Sequence, residues 1–236
     1  LGMPSQGMRS GGIFPAIIGT SYLAIGTALF SIPLGIFAAI YLTEYAKQSW
    51  LTRLIDIALI NLAGVPSIVY GLFGLGLFVI FLNFGTSIIA GSLTLAILTL
   101  PVIITASKEA LNSVPKTFRE VSYSLGASRW QTIRNVVVPN SIPGIMTGTI
   151  LGLSHAVGET APILFTVAAF YLPHLPRSVF DQAMALPYHI YVISTQIPNI
   201  SPQIQYGTVL VLIVFVFIMN ILASYIRAQF RKRKLW

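Results

Sequence analysis

Three observations predict an all-α integral membrane protein with five transmembrane helices. Of 236 residues, 55% are hydrophobic and only 8% charged, where soluble domains carry roughly 25% charged residues. Uncharged stretches of 30 residues (13–42) and 51 residues (57–107) interrupt the chain, and about 20 apolar residues suffice to cross a bilayer as a helix. The Lys and Arg residues avoid these stretches and gather in short polar segments between them. A mean hydropathy of +0.82 agrees, and together these exclude a soluble globule. The chain has no cysteine, hence no disulfide, thiolate metal site or Cys nucleophile. His155, His174 and His189 stand too far apart for a local metal-ligand pattern.

Taken in order, the flank before residue 13 lacks the basic start and apolar run of a signal peptide. Residues 13–42 form the first span, with Pro15 and Pro33 as points where it can bend. A polar link follows over 43–56, holding Glu44, Lys47, Arg53 and Asp56, with Tyr45 and Trp50 as interfacial anchors. The 51-residue run is too long for one span and reads as a hairpin, 57–82 and 87–107, turning at Asn83-Phe84-Gly85-Thr86. Gly71, Gly74 and Gly76 in its first arm permit close helix approach. Residues 108–139 are a polar island, and 140–170 is the next span, rich in glycine (Gly144, Gly148, Gly152, Gly158). The segment 171–205 carries Pro173, Pro176, Pro187, Pro198 and Pro202 and reads as an external loop with brief interfacial helices at 183–186 and 190–193. The last span covers 206–226, and a basic tail follows. All 236 residues then form a single transmembrane domain.

Orientation follows from the cations. Lys47, Arg53, the five of the island (Lys108, Lys116, Arg119, Arg129, Arg134) and the five of the tail (Arg227, Arg231, Lys232, Arg233, Lys234) fall on one face. Arg9 and Arg177 alone fall on the other. Twelve against two places the island and the tail in the cytoplasm and the start of this stretch outside, an arrangement expected if a sixth span precedes it. Topology thus accounts for the +8 charge without nucleic acid.

Two helices are expected in the island. Pro115 suits a helix's first turn and Gly126 its C-terminal stop, with Phe118, Val121 and Leu125 on one face. Ser128 and Gln131 then form a capping box, and Trp130, Ile133 and Val137 make the next apolar stripe. These faces either dock on a partner or pack on the protein's own helix ends; periodicity leaves both open.

The spacing Glu120-Val121-Ser122, three residues, Gly126, nine residues, Val136, one residue, Val138-Pro139 resembles the EAA loop of ABC importer permeases, E-A-A-x3-G-x9-I-x-L-P. Its anchors Glu120, Gly126 and Pro139 are intact; Val121, Ser122, Val136 and Val138 are conservative departures. The resemblance implies the type I ABC importer permease fold. It also implies a coupling helix seated in a groove of an ATPase subunit, with Glu120, Val121, Ser122, Leu125, Gly126, Ala127, Arg129 and Trp130 as the contact. The chain has no G-x-x-x-x-G-K-[ST] phosphate loop. ATP and Mg are therefore expected on the partner ATPase, with no cofactor on this chain.

Glu159 stands at membrane depth, where a carboxylate is costly and by default functional. His155 precedes it by four residues, so the two share a helix face and can pair. A pathway or interface site and a plain interhelical hydrogen bond are both consistent with this. The stretch Gly158-Glu159-Thr160-Ala161-Pro162 is similar to the permease subunits of phosphate ABC importers, of the PstA type. So are 11–20, 65–71, 124–133 and 178–191. Many relatives carry Arg where this chain has His155, which puts a local Arg–Glu pair in doubt and makes a pH-dependent pair possible. A bare Glu159 would repel phosphate; Ser154, Thr160 or helix N-termini are the alternative anion ligands. The resemblance implies a second homologous permease, two ATPase subunits, an external phosphate-binding protein and inorganic phosphate as partners. Alternatives are the same machine for molybdate or sulfate, an ion-gradient-driven secondary transporter, and a plain membrane anchor.

Overall fold

The computed structural model describes residues 2, 4–5, 10–172, 174–198 and 200–232. Arg9, Pro173, Arg233 and Lys234, on which parts of the sequence reading rest, lie outside them. Two-residue strands β1 (Pro4–Ser5) and β2 (Ser10–Gly11) pair antiparallel. The helices follow as α1 (Phe14–Ile40), α2 (Trp50–Ala63), α3 (Ser67–Gly74), α4 (Ile88–Asn112), α5 (Lys116–Ser124), α6 (Arg129–Thr132), α7 (Val138–Gly158), α8 (Ala161–Thr166), α9 (Leu186–Thr195) and α10 (Pro202–Lys232). Wider π-type turns prolong α1 over Tyr41–Tyr45 and α3 over Leu75–Phe81, and join α6 to α7 over Ile133–Val137. Among the described residues four helices are long and apolar enough to cross a membrane: Phe14–Tyr45, Ile88–Asn112, Arg129–Gly158 and Pro202–Gln229. The broken pair Trp50–Ala63 and Ser67–Phe81 makes a fifth if taken together.

Several boundaries differ from the hydropathy reading, each for a local reason. The 57–82 arm is two helices, and the first begins inside the polar link. Ser49 caps α2 by accepting the Thr52 N–H, Gly64 ends it, and Pro66, which has no N–H to donate, stands before α3. The turn lies where expected, with Asn83 at φ 56° and Gly85 at φ 65°. α4 runs on to Asn112, five residues into the island, because the charge on Lys108 ends an apolar run but not a helix. The second island helix and the following span are continuous from Arg129 to Gly158, and that span breaks at Glu159 instead of continuing to 170.

The chain divides into two compact units. The first comprises Leu1–Phe30, Val65–Leu98 and Leu153–Met219; the second comprises Ser31–Gly64, Thr99–Gly152 and Asn220–Trp236. Lipid tails are as apolar as Leu, so helices inside a bilayer associate by close packing and hydrogen bonds. The second unit shows the first device. Gly144, Gly148 and Gly152 recur every four residues on α7. A Cβ built on them would lie 2.6 Å from the Ala110 Cβ, 2.3 Å from the Ala106 Cβ and 3.2 Å from Ile103. The falling partner numbers make the α4 and α7 segments antiparallel, with backbone almost in contact. Ala39, Ile104, Leu111, Val114 and Val137 form this unit's buried cluster, with Phe118 against it.

In the first unit, α9 lies in the core, where the sequence reading expects brief interfacial helices. Ala183, Leu186, Val192 and Ile193 are fully buried. The Leu186 N–H donates to Thr20 Oγ1 at 2.9 Å, and Gly19 abuts the Met184 carbonyl, which any side chain there would strike. Apolar patches of four residues carry too little periodicity to separate a core helix from an interfacial one. The segment before α9 also caps α4: Ile88 and Ile89 donate to the carbonyls of Asp181 and Val179 at 2.9 and 3.0 Å. The Asp181 carboxylate accepts the N–H groups of Arg177 and Ser178 at 2.8 and 2.9 Å, which holds its pKa below the ordinary carboxylate value.

Candidate functional site

The island folds as an elbow. α5 starts after Pro115, whose φ of −55° and ψ of 140° make it the N-cap, one position before the expected first turn. Its end is a left-handed glycine stop. Gly126 has φ +83°, its N–H donates to the Tyr123 carbonyl, and the Ala127 N–H reaches back to Ser122, the pair of bonds that closes a Schellman motif. Ser128 then caps α6 reciprocally: its hydroxyl accepts the Gln131 N–H at 3.3 Å, and the Gln131 side-chain Oε1 accepts the Ser128 N–H at 2.8 Å. The hydroxyls of Ser122 and Thr132 meet at 2.9 Å and tie the two arms together.

The apolar stripes divide between two surroundings. Ile133 and Val137 are buried and Phe118 packs on the core. Val121, Leu125 and Trp130 are exposed, Leu125 at 83%. Glu120 is exposed beside them and Ala127 half-buried. Arg129 faces elsewhere: its guanidinium donates to the Glu44 carbonyl and lies 5.0 Å above the Tyr45 ring.

Hydropathy left Glu44 in a mere polar link. Its side chain is 7% exposed and accepts from Arg119 Nη2 at 2.6 Å. Lys108 pairs with Asp56 in the same unit. One signal for Glu44 was available: it is one of only six acids, placed at the end of an uncharged span, and its partner directly precedes the EAA-like glutamate.

Glu159 lies at a helix break. α7 ends at Gly158, and α8 begins at Ala161 with Pro162 in its first turn. Glu159 Oε1 lies 2.9 Å from His155 Nε2; Glu159 is 15% exposed and His155 63%. Thr20, Thr27, Leu95, Ala156 and Pro187 border the same crevice, and the Thr27 hydroxyl has no hydrogen-bond partner among the described residues. Ser154 and Thr160 flank the pair and are half-buried. A Cβ on Gly71 would lie 3.0 Å from the Ala161 carbonyl, and one on Gly74 would strike Thr94. The 65–71 motif is thereby packed on the Glu159 segment, while Gly76 meets nothing. Among the described residues no three His, Cys, Asp or Glu groups converge as a metal site.

The exposed helix–Gly–helix elbow between apolar spans, at the spacing that resembles an EAA loop, agrees with the class of transporter membrane components. The chain is a member of the binding-protein-dependent transport system inner membrane component family, which matches residues 31–235. It is 39% identical over 226 residues to the phosphate transport system permease protein PstA 1 of Mycobacterium tuberculosis (strain ATCC 25618 / H37Rv), covering 95% of this chain and 72% of the relative. It is 37% identical to the phosphate transport system permease protein PstA of Mycobacterium leprae (strain TN), over 92% and 71%. It is 35% identical to the "Probable ABC transporter permease protein YqgI" of Bacillus subtilis (strain 168), over 94% and 80%. Among solved structures, an inward-facing MetNI methionine ABC transporter superposes with a TM-score of 0.76 at 15% identity, covering 92% of this chain and 95% of that one. A bacterial importer of the polysaccharide alginate gives 0.71 at 14%, over 95% and 80%. The fold is the type I ABC importer permease fold.

Proposed function

We propose that the chain is the membrane-spanning permease subunit of an ATP-driven importer of inorganic phosphate. The observation that carries the substrate is the 37–39% identity to relatives named as phosphate transport permeases, extending over more than nine-tenths of the chain. It works with a second homologous permease, two ATPase subunits that bind ATP and Mg, and an external phosphate-binding protein. The island and the tail are cytoplasmic, a placement supported by the twelve-to-two count of cations.

The elbow is the ATPase contact. Large apolar side chains exposed on a polar segment mark an interaction surface, and Val121, Leu125 and Trp130 are of this kind, with Glu120, Ser122, Gly126 and Ala127 around them. ATPase closure draws two such elbows together and turns the pathway from inward- to outward-facing; hydrolysis returns it. Ser154, His155, Glu159 and Thr160 belong to that pathway or its gate. With Glu159 held by His155, the carboxylate serves as a gating pair and not as a ligand for an anion. The test is radiolabelled phosphate uptake in cells lacking the protein, with and without the gene restored. Restoration of phosphate uptake that sulfate and molybdate do not inhibit is expected; equal inhibition by either would reject phosphate as the specific substrate.

A further inference from the structure

We propose that Glu44, Arg119 and Arg129 form a clasp that transmits motion from the elbow to α1 and α4, making them positioning residues for transport. This rests on the reading of the elbow as the ATPase contact.

No residue of α5 is fully buried, and Phe118 is its apolar contact with the core. Much of its remaining hold is polar. The Arg119 guanidinium donates through Nη2 and Nε to Glu44 Oε1 at 2.6 and 3.3 Å. It also donates through Nη1 to the Val114 carbonyl at 2.8 Å and through Nη2 to the Leu111 carbonyl at 3.0 Å. Those carbonyls belong to the last turn of α4 and the residues just beyond it, where backbone acceptors lack helical donors and the helix dipole is negative. One side chain of α5 therefore closes the end of α4 and grips the end of α1. Arg129 repeats the grip from α6, donating to the Glu44 carbonyl and lying over Tyr45. Ser122 and Thr132 join the two arms, so both arginines move with Val121, Leu125 and Trp130. Both members of the ion pair are largely buried, Glu44 at 7% and Arg119 at 16% exposure. Such burial limits competition from water, and a planar five-donor fork cannot be replaced by a point charge without loss of bonds. Displacement of the exposed face is thereby carried to two membrane helices.

The experiment uses the complete transporter in proteoliposomes, with variants Glu44→Gln, Arg119→Gln, the double variant and Arg119→Lys. ATPase co-purification, ATP hydrolysis and phosphate imported per ATP are measured. Expected is retained co-purification, with import per ATP reduced at least tenfold in either single variant. The double variant falls no further, and Arg119→Lys recovers part of the ratio. Wild-type import per ATP in Glu44→Gln overturns the clasp. Should the Gln variants fail to assemble, Glu44→Asp and Arg119→Lys, which keep both charges, decide: a threefold or greater loss of import per ATP supports transmission, and a wild-type ratio makes the pair structural only. Leu125→Glu separates the underlying reading. It is expected to abolish ATPase capture, and intact capture would remove the elbow as the contact whatever the clasp variants show.

Discussion

His155 Nε2 and Glu159 Oε1 lie 2.9 Å apart across one helical turn, and the helix ends between them at Gly158. A carboxylate next to an apolar span is tolerated when paired, and this pair sits where the span loses its backbone ladder. Glu159→Gln preserves shape and removes the charge; uptake is expected to fall about tenfold or more while the complex still assembles. His155→Gln should act in the same direction but less, since His155 is mostly exposed. Unchanged uptake in Glu159→Gln, measured with radiolabelled phosphate, would reduce the pair to a structural hydrogen bond.

Gly126 carries the elbow's left-handed turn at φ +83° with none of the described residues within 4 Å of a Cβ, so the cost of a side chain there is conformational and not steric. Gly126→Ala should cost about 1–2 kcal/mol, and Gly126→Asn less. Gly126→Pro, with φ held near −65°, should abolish both ATPase capture and uptake. Pull-down of the ATPase on each variant checks the order Gly, Asn, Ala, Pro.

Gly148 faces Ala106 so closely that a Cβ would stand 2.3 Å from the alanine methyl group. Gly148→Val should destabilise by about 1–3 kcal/mol through overpacking, seen as a lower melting temperature in detergent. Gly76→Ala, where none of the described residues lies within 4 Å, should leave the melting temperature unchanged or slightly raised. Equal effects at the two positions would show that α4 and α7 do not depend on this close approach.

His189 on α9 is 4% exposed, its Nδ1 has no hydrogen-bond partner among the described residues, and burial pushes its pKa down to about 4. The folded value lies below the ordinary value of 6.5, so the unfolded chain binds the proton more readily. The contribution to stability is complete above pH 6.5 and is lost as pH falls from 6.5 towards 4, reaching about 2 kcal/mol by pH 5. Denaturation in detergent at pH 7.5 and pH 5 should show this loss in the wild type and a flatter profile in His189→Leu. A profile unchanged by the substitution would assign the acid sensitivity to other groups.

Local chemistry was legible in advance. The Gly126 stop, the Ser128–Gln131 capping box and the Asn83–Gly85 turn each depend on a few adjacent residues, and each stands where its residue types demand. The glycine series on α7 was also visible, although Ala106 and Ala110 as its partners were not. Helix ends were less legible, because a charge such as Lys108 changes hydropathy without ending the backbone ladder.

Hydropathy and glycine placement settle which segments suit lipid and where the elbow turns, since both are properties of neighbouring residues. Folding in three dimensions settles the rest. It decides that Val121 and Leu125 face outward while Ile133 and Val137 face in. It decides that α9 is core, and that Glu44 belongs to the elbow although 75 positions separate it from Arg119. A single buried ion pair leaves no periodic trace along a chain. Its attraction depends on two charges meeting at one partly desolvated point, and only the packed structure brings them there.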